Sequence, residues 1–250
     1  MKTSNLRLFV SALALALLMA TTSTHSIGPA LQKLPYDAQR DFAAISIVAD
    51  ATNVLIVSPA IGVNSVRELI ALAKAKPGEL NYSSSGAGSI VHLSGERFKS
   101  MTGTDIQHIP YKGTALAIPD IINGQIAMMF DSIVSVMPHV RSGKVKALAI
   151  SSQKRSALLP ELPTMTEAGV PGYVSDTYFG VFAPAGTPHD IIMRLNAELV
   201  KIVHGADTKE RLMKLGAEPV GSTPEQLATM VKTENIKWAK VIKDAGVKIE

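Results

Sequence analysis

The chain lacks cysteine and has few aromatic side chains. None of its 250 residues is cysteine, which excludes disulfide bonds, thiolate metal sites and cysteine nucleophiles. Aromatic residues make up 5% of the chain and charged residues 18%, whereas hydrophobic residues reach 46%. This composition is typical of a chain that buries a core, and it excludes an intrinsically disordered protein.

A block of like charges is also missing. The 25 basic and 21 acidic residues leave a net charge of only +4, and Lys and Arg are spread along the chain. Proteins that bind nucleic acid usually concentrate their basic residues on one face. We therefore expect no nucleic-acid partner, and the small basic excess favours anionic ligands in general.

The histidines form no recognisable metal motif. None has a second histidine or a carboxylate at the spacing that zinc sites use. The six are His25, His92, His108, His139, His189 and His204. We expect no metal and no cofactor.

The N-terminus has the pattern of a secretory leader. Lys2 and Arg7 precede an apolar stretch at residues 8–19, and Ala20 offers a small residue for cleavage. A membrane-spanning helix needs about 20 apolar residues, so this stretch is short for one. Residues 1–20 are predicted to be an export leader, which implies a periplasmic protein. The alternative interpretation is a buried strand or helix.

The remaining sequence predicts an α/β fold. Strand-like runs such as residues 54–57 and 145–150 alternate with helix-like runs, which favours a parallel or mixed sheet. Residues 154–173 are rich in Pro, Thr and Gly and predict a long surface excursion. A last helix starts after Thr223, and its Trp238 and nearby lysines predict an amphipathic surface helix.

Residues 82–89, with the sequence Tyr-Ser-Ser-Ser-Gly-Ala-Gly-Ser, are the most informative segment. The glycines allow a tight turn, and the helix that follows adds unpaired N–H groups and the positive end of its dipole. Together they favour a seat for an anion such as a carboxylate. The segment lacks the Lys-Ser/Thr ending of a P-loop and the third glycine of a dinucleotide fingerprint. A plain structural turn is the alternative.

Two more segments follow predicted strands and precede predicted helices. Asp131 with Ser132, and Tyr111 through Gly113, fall where ligand groups gather in α/β proteins. Asp and Ser are also preferred helix caps, and Lys112 could pair with an acid or face water. Both interpretations remain open.

A serine hydrolase is the enzymatic alternative. The chain has no Gly-x-Ser-x-Gly motif, and His92 falls on the helix after the loop, where capping or packing is the simpler role. No convincing general base for Ser84 or Ser85 is apparent, so we expect no catalytic residues and no enzyme activity.

Four segments together carry a resemblance to a known family. They are residues 82–89, His-Ile-Pro-Tyr-Lys-Gly at 108–113, residues 155–173, and Phe-Gly-Val-Phe-Ala-Pro-Ala-Gly-Thr-Pro at 179–188. The combination resembles the solute receptors of tripartite tricarboxylate transporters, the Bug family. The likeness extends from about residue 21 to the C-terminus.

The resemblance implies a two-lobed periplasmic binding protein of type II that closes over a small carboxylate and delivers it to a membrane permease. It implies a first lobe at residues 21–80 and 180–250, a second lobe at 81–179, and two crossing strands as the hinge. A monomer is expected. About two βα units that family members carry before the segment matching residue 21 have no counterpart, which implies a truncated first lobe.

The resemblance also implies a set of ligand contacts. Ser84, Ser85, Gly86, Gly88 and Ser89 would donate hydrogen bonds to the anion. Thr24 and His25 would contact the ligand from the first lobe, and Tyr111, Gly113 and Asp131 would line the far wall. A ligand-sensing accessory of a signalling protein would use the same closed form. Dicarboxylates, tricarboxylates, aromatic acids and amino acids all suit such a seat.

Overall fold

The computed structural model describes residues 17–156 and 159–247. The strands are β1 (Leu18–Thr21), β2 (Phe42–Ala51), β3 (Asn53–Val57), β4 (Asn81–Ser84), β5 (Gln107–Pro110), β6 (Met128–Ser132), β7 (Lys146–Ile150), β8 (Thr177–Pro184) and β9 (Ala217–Pro219). The helices are α1 (Gly28–Leu31), α2 (Val66–Ala75), α3 (Ile90–Thr102), α4 (Thr114–Ile122), α5 (Ile133–Arg141), α6 (His189–Val203), α7 (Ala206–Lys214) and α8 (Pro224–Ala245), with a π-helix at Thr22–Ile27 and a 3₁₀ turn at Pro59–Ile61. Within the described ranges, no helix is long and apolar enough to cross a membrane.

Most of the predicted leader lies outside the described residues. Its last part forms β1, which pairs antiparallel with β8 from Leu18 opposite Phe182 to Thr21 opposite Phe179. Residues 18–21 thus form a strand, as the alternative interpretation expects, and the leader at residues 1–20 stays a prediction. Ala20 packs beneath the sheet, whereas Leu18 and Met19 are exposed along its edge.

The first sheet has four antiparallel strands in the order β1-β8-β2-β9. Tyr178 and Phe182 on β8 share a core with Leu227 and Val231 of α8. The approach of α8 is close because Gly180 has no side chain: a Cβ there would lie 2.8 Å from the Phe182 ring and 3.0 Å from Leu227. Side chains of the central strands and of α8 thus form one hydrophobic layer.

The second sheet has five strands in the order β5-β4-β6-β3-β7. β5, β4 and β6 run parallel, whereas β3 is antiparallel to both β6 and β7. The prediction of an α/β fold with a mixed sheet is therefore confirmed. The central strand β4 was missed because Asn81–Ser84 is polar and reads as part of the glycine loop.

The sheets divide the chain differently from the predicted lobes. β3 and α2 fall within the predicted first lobe, yet Leu55 and Val57 of β3 and Leu69 of α2 belong to the core of the five-stranded sheet. β8 starts at Thr177, inside the predicted second lobe, but pairs in the four-stranded sheet. The reason is that β2 and β3 are nearly continuous in sequence, so no composition change marks the crossing.

Two crossing segments connect the sheets, as expected for a hinge. One is the short link between β2 and β3, and the other runs from β7 to β8. Asn53 Nδ2 donates to Ser175 O at 2.6 Å, and Asn53 N donates to Ser151 Oγ at 3.2 Å. These buried hydrogen bonds join the two crossings side by side.

The predicted surface excursion is only partly right for residues 159–173, because many of them are exposed but several apolar side chains reach the core. Leu159, Met165, Val170 and Tyr173 are all less than 5% exposed, and the Tyr173 hydroxyl donates to Ser94 O at 2.8 Å. The abundance of proline and glycine correctly indicated irregular backbone. Irregular backbone that carries apolar side chains can, however, pack over a sheet as readily as it projects into solvent.

The last helix is amphipathic, as predicted, and Trp238 lies on its apolar face. Its side chain is fully buried, and its indole N–H donates to Glu234 Oε2 at 2.7 Å. It shares a cluster with Ile27 of the π-helix and Leu93 of α3. One face of α8 therefore packs against the first sheet, and another packs against α3. The spacing of apolar residues along α8 does not by itself reveal the second contact.

Candidate anion-binding site

Three parallel strands end at the same edge of the second sheet. Register places Ser84 opposite Pro110 and Ser83 opposite Met129, so β4 and β5 end level and β6 continues two residues further, to Asp131 and Ser132. Each of these ends leads into a helix: α3, α4 and α5. Helix N-termini carry unpaired N–H groups and a partial positive charge, so three of them at one edge favour a bound anion.

The loop from Ser84 to Ser89, called the anion loop below, has a defined conformation. Ser89 caps α3, because its Oγ accepts from His92 N at 3.2 Å and donates to Gly86 O at 2.8 Å. Gly86 and Gly88 have φ angles of +134° and +76°, which other residues rarely adopt. The turn therefore requires glycine at both positions.

Two of the amides predicted to hold an anion already have acceptors within the protein. Gly86 N donates to Ser84 Oγ at 3.1 Å, and Gly88 N donates to His92 Nδ1 at 3.0 Å. Shielded N–H groups take an acceptor wherever one lies near. In this arrangement these two amides shape the loop, and an anion would have to displace their partners to reach them.

Asp131 lies at the end of β6, adjacent to the same edge. It is 5% exposed, and its Oδ1 accepts from Ser132 N at 2.8 Å. Among the described residues, nothing makes a hydrogen bond to its buried Oδ2. Burial raises the pKa of Asp131 to about 6, against smaller opposing effects of the Ser132 amide and the hydroxyls of Thr114 and Ser135. An unpaired buried carboxylate oxygen is costly, and it can accept from a ligand hydroxyl or ammonium group.

A groove gives access near this carboxylate. It has a volume of about 530 Å³ and lies between α4 and α5, with Thr114 and Ser135 among its lining residues. These are the same hydroxyls that neighbour Asp131.

Tyr111 and Gly113 also lie at this edge. Tyr111 N donates to Ser84 O at 3.1 Å, and a Cβ on Gly86 would lie 3.7 Å from Tyr111 O. The Tyr111 hydroxyl, however, donates to Asp120 on α4, and this bond raises the Tyr111 pKa to about 12. The Tyr111 main chain thus borders the anion loop while its hydroxyl is engaged elsewhere. Gly113 precedes α4 with φ +117°.

His25 is buried, which contradicts its predicted contact with the ligand, whereas the predicted contact of Thr24 stays a prediction. The His25 ring is 1% exposed and packs 4.6 Å from Phe182 and 5.1 Å from Phe42, measured between ring centroids. Its two ring nitrogens find no hydrogen-bond partner in the described ranges, and burial lowers its pKa. The ring is an aromatic core residue and is not presented to a cleft. Thr24 is exposed, and its Oγ1 accepts from Thr21 N at 2.9 Å at the start of the π-helix.

Sequence reasoning missed one feature of the site. His108 Nε2 lies 2.7 Å from Ser84 Oγ, so a base within reach of that serine does exist. Ser84 is fully buried, and its hydroxyl is committed to the loop. The only feature of the sequence that pointed to this contact was the position of His108 on a predicted strand near the loop. No group of three or more His, Asp or Glu able to hold a metal occurs in the part of the chain that the structure describes.

The two sheets, the crossing segments and the edge site define a type II periplasmic-binding-protein fold. More specifically, the chain belongs to the tripartite tricarboxylate transporter receptor family, whose model matches residues 14–247. The predicted family membership and fold class are therefore confirmed.

Curated relatives include BugT of Bordetella pertussis, 36% identical over 235 residues that make up 94% of this chain and 72% of BugT. A second, encoded between tcbD and tcbE in Pseudomonas sp. strain P51, is 36% identical over 211 residues, or 84% of this chain and 63% of that protein. The chain thus spans about two thirds of the length of these relatives.

Similar solved structures carry ligands in two cases. Rpa4515 of R. palustris with adipate has a TM-score of 0.81 at 36% identity, covering 93% of this chain and 78% of that one. MatC from Rhodopseudomonas palustris with malate has a TM-score of 0.76 at 31% identity, covering 90% and 78%. The periplasmic binding protein BugD has a TM-score of 0.78 at 33% identity, covering 94% and 79%.

Proposed function

We propose that the chain is an extracytoplasmic solute receptor that binds a small carboxylate and delivers it to a membrane permease of the tripartite type. The first lobe surrounds the four-stranded sheet, the second surrounds the five-stranded sheet, and the crossings beside Asn53 and Ser151 act as the hinge. The protein works as a monomer, without a cofactor, and performs no chemistry on its ligand.

One observation carries this proposal: three helices begin at the same edge of the second sheet, each after one of the parallel strands β4, β5 and β6. Such an edge attracts negative charge without requiring a basic side chain. The predicted residues of the anion loop, Tyr111, Gly113 and Asp131 all lie at it. The ligands adipate and malate in two relatives support a carboxylate as the anion.

Asp131 sets a second requirement on the ligand. A carboxylate oxygen that is buried and unpaired repels a second carboxylate unless a proton lies between them. A ligand hydroxyl, ammonium or bridging water would supply that proton. We therefore expect preference for acids that place such a donor a few bonds from the anion.

The test uses two glycines with positive φ angles. Gly86→Ala forces an L-residue into φ +134° in the anion loop, and Gly62→Ala places one at φ +73° after the 3₁₀ turn, away from the site. Neither new Cβ meets an atom closer than 3.7 Å. Both variants should lose stability, Gly86→Ala the more, but only Gly86→Ala should weaken binding of adipate or malate, by about tenfold or more in calorimetric titrations.

Equal weakening in both variants would show that the loop has no special role. The proposal itself is overturned if the folded wild-type protein gives no heat and no thermal shift with adipate, malate or a panel of other dicarboxylates, tricarboxylates, aromatic acids and amino acids.

The contact between Ser84 and His108 is the one observation that favours a hydrolase. Its burial and its bonds within the loop argue against attack on a substrate. Turnover of a generic ester that disappears in Ser84→Ala, while the protein stays folded, would support the enzyme instead.

A further inference from the structure

His92 and His108 form a stacked pair directly beneath the anion loop. Their ring centroids lie 3.8 Å apart with an angle of 9° between the planes. The Tyr82 ring continues the stack at 4.9 Å from His108. The two histidines come from different elements, α3 and β5, so the stack also joins the helix to the sheet.

Each imidazole holds one end of the loop. His108 Nε2 lies 2.7 Å from Ser84 Oγ, at the first loop residue. His92 Nδ1 accepts from Gly88 N at 3.0 Å, next to the last one. Ser84 Oγ in turn accepts from Gly86 N, so both glycine amides depend on this arrangement.

We propose that His92 and His108 act as a clamp that positions the anion loop for its ligand, and that the clamp holds only while His92 is uncharged. The inference rests on the proposed function, since it assigns positioning residues to the same site. Neither histidine touches the ligand; each acts through the loop.

The requirement for a neutral His92 follows from its hydrogen bond to the Gly88 amide. A protonated imidazole has no acceptor nitrogen, so charged His92 cannot bind the Gly88 amide. Two cationic rings at stacking distance also repel each other. With Nδ1 as the acceptor, the proton of neutral His92 lies on Nε2, 4.0 Å from Glu96 Oε1.

The charged neighbours of the pair partly cancel. Glu96 favours a proton on the imidazoles, but it is engaged by Lys99 Nζ at 2.8 Å and by the Tyr82 hydroxyl at 2.6 Å. Burial disfavours the charged rings: it lowers the pKa of His92 and, together with repulsion from His92, that of His108 to about 4. The neutral pair therefore persists at ordinary pH.

The clamp predicts a pH dependence opposite to that of simple charge attraction. If the histidines attracted the ligand as cations, acid would tighten binding. If they act as a neutral clamp, acid weakens binding because the Gly88 amide loses its acceptor. The sign of the effect therefore distinguishes the two roles.

The experiment compares His92→Asn with His92→Leu, and His189→Asn, on the exposed start of α6, serves as the control. Asn carries an oxygen near the position of Nδ1 that accepts at every pH, whereas Leu carries no acceptor. Calorimetric titration with adipate or malate at about pH 8 should show binding by His92→Asn within about threefold of wild type and a loss of about tenfold or more in His92→Leu. The ratio of the wild-type affinity to the His92→Asn affinity is then taken at each pH. Titration of the ligand and of Asp131 affects both proteins and cancels in this ratio. The ratio should fall as the pH is lowered towards about 5.

A ratio that rises in acid, or His92→Leu binding as tightly as wild type, overturns the clamp. Nuclear magnetic resonance of the ligand-free wild type tests it independently of ligand and variants. Nitrogen shifts of His92 should show an unprotonated Nδ1, and the Gly88 amide should exchange slowly; the opposite tautomer or fast exchange refutes the inference. A protein that shows the clamp but binds no carboxylate would overturn the proposed function alone.

Discussion

Gly95 on α3 is the position where a single added carbon should do most damage. A Cβ there would lie 2.2 Å from Cε2 and 2.5 Å from Cζ of the Tyr82 ring. Carbon atoms in contact prefer about 3.5–4.0 Å, so ring and helix would have to separate by more than about 1 Å. Tyr82 cannot swing aside, because it is fully buried, stacks on His108 and donates to Glu96 Oε1 at 2.6 Å.

The expected loss is about 1.5–5 kcal/mol of unfolding free energy. Overpacking of a dense core costs about 1–3 kcal/mol. Displacement of the Tyr82 hydroxyl from a charged partner costs about 1.5–3 kcal/mol more. The better helix propensity of alanine returns only about 1 kcal/mol.

Urea unfolding of Gly95→Ala, followed by fluorescence, measures this loss. The single tryptophan, Trp238, shares a cluster with Leu93 on α3 and so reports on this region. Ser100→Ala, on the exposed face of the same helix, is the matched control and should change stability by no more than about 0.5 kcal/mol. A Gly95→Ala protein as stable as wild type, or stabilised as propensity alone predicts, refutes the close-contact reasoning.

Three further substitutions test buried polar groups. Asp131→Asn should raise the unfolding free energy by about 2 kcal/mol at about pH 8 but not at about pH 4. Burial raises the pKa of the Asp131 carboxyl, so the wild type loses stability as the pH rises from 3.8 to about 6. Urea titrations at the two pH values measure the effect, and Asp105→Asn, at an exposed carboxyl, is the control. His25→Leu should make the melting temperature less sensitive to acid. Burial lowers the pKa of His25, so the wild type loses stability below pH 6.5. The reasoning is contradicted if His25→Leu is as acid-sensitive as the wild type, or if His189→Leu, at an exposed histidine, has the same effect. Asn53→Ala removes a buried hydrogen bond between the crossing segments and should cost about 1 kcal/mol in urea unfolding; no loss would mean that the bond does not stabilise the hinge.

The fold class was predictable because the pattern that defines it is local. Alternating strand-like and helix-like runs, helix caps such as Thr223 and the glycine turn before α3 each depend on a few neighbouring residues. The polar strand β4 was missed for the same reason, since its place in the sheet depends on burial by α3 and α2 and not on its own composition.

The candidate site was predictable in part. Residues after strands and before helices gather at one sheet edge in any parallel arrangement, so the anion loop, Gly113 and Asp131 could be grouped in advance. The aromatic environment of His25 and the engaged hydroxyl of Tyr111 could not, because they depend on the directions in which side chains leave the backbone.

The sequence by itself determined the helix starts, the glycine-dependent turns and the alternation of α and β elements, because each follows from local backbone preferences and periodicity. Only the tertiary structure decided which sheet β3 enters, that Trp238 and Tyr173 are buried, and that His92 stacks on His108. These outcomes depend on packing between segments far apart in the chain. The stabilising free energy comes from excluding water across the whole contact surface, so no pattern within a single segment predicts the contact.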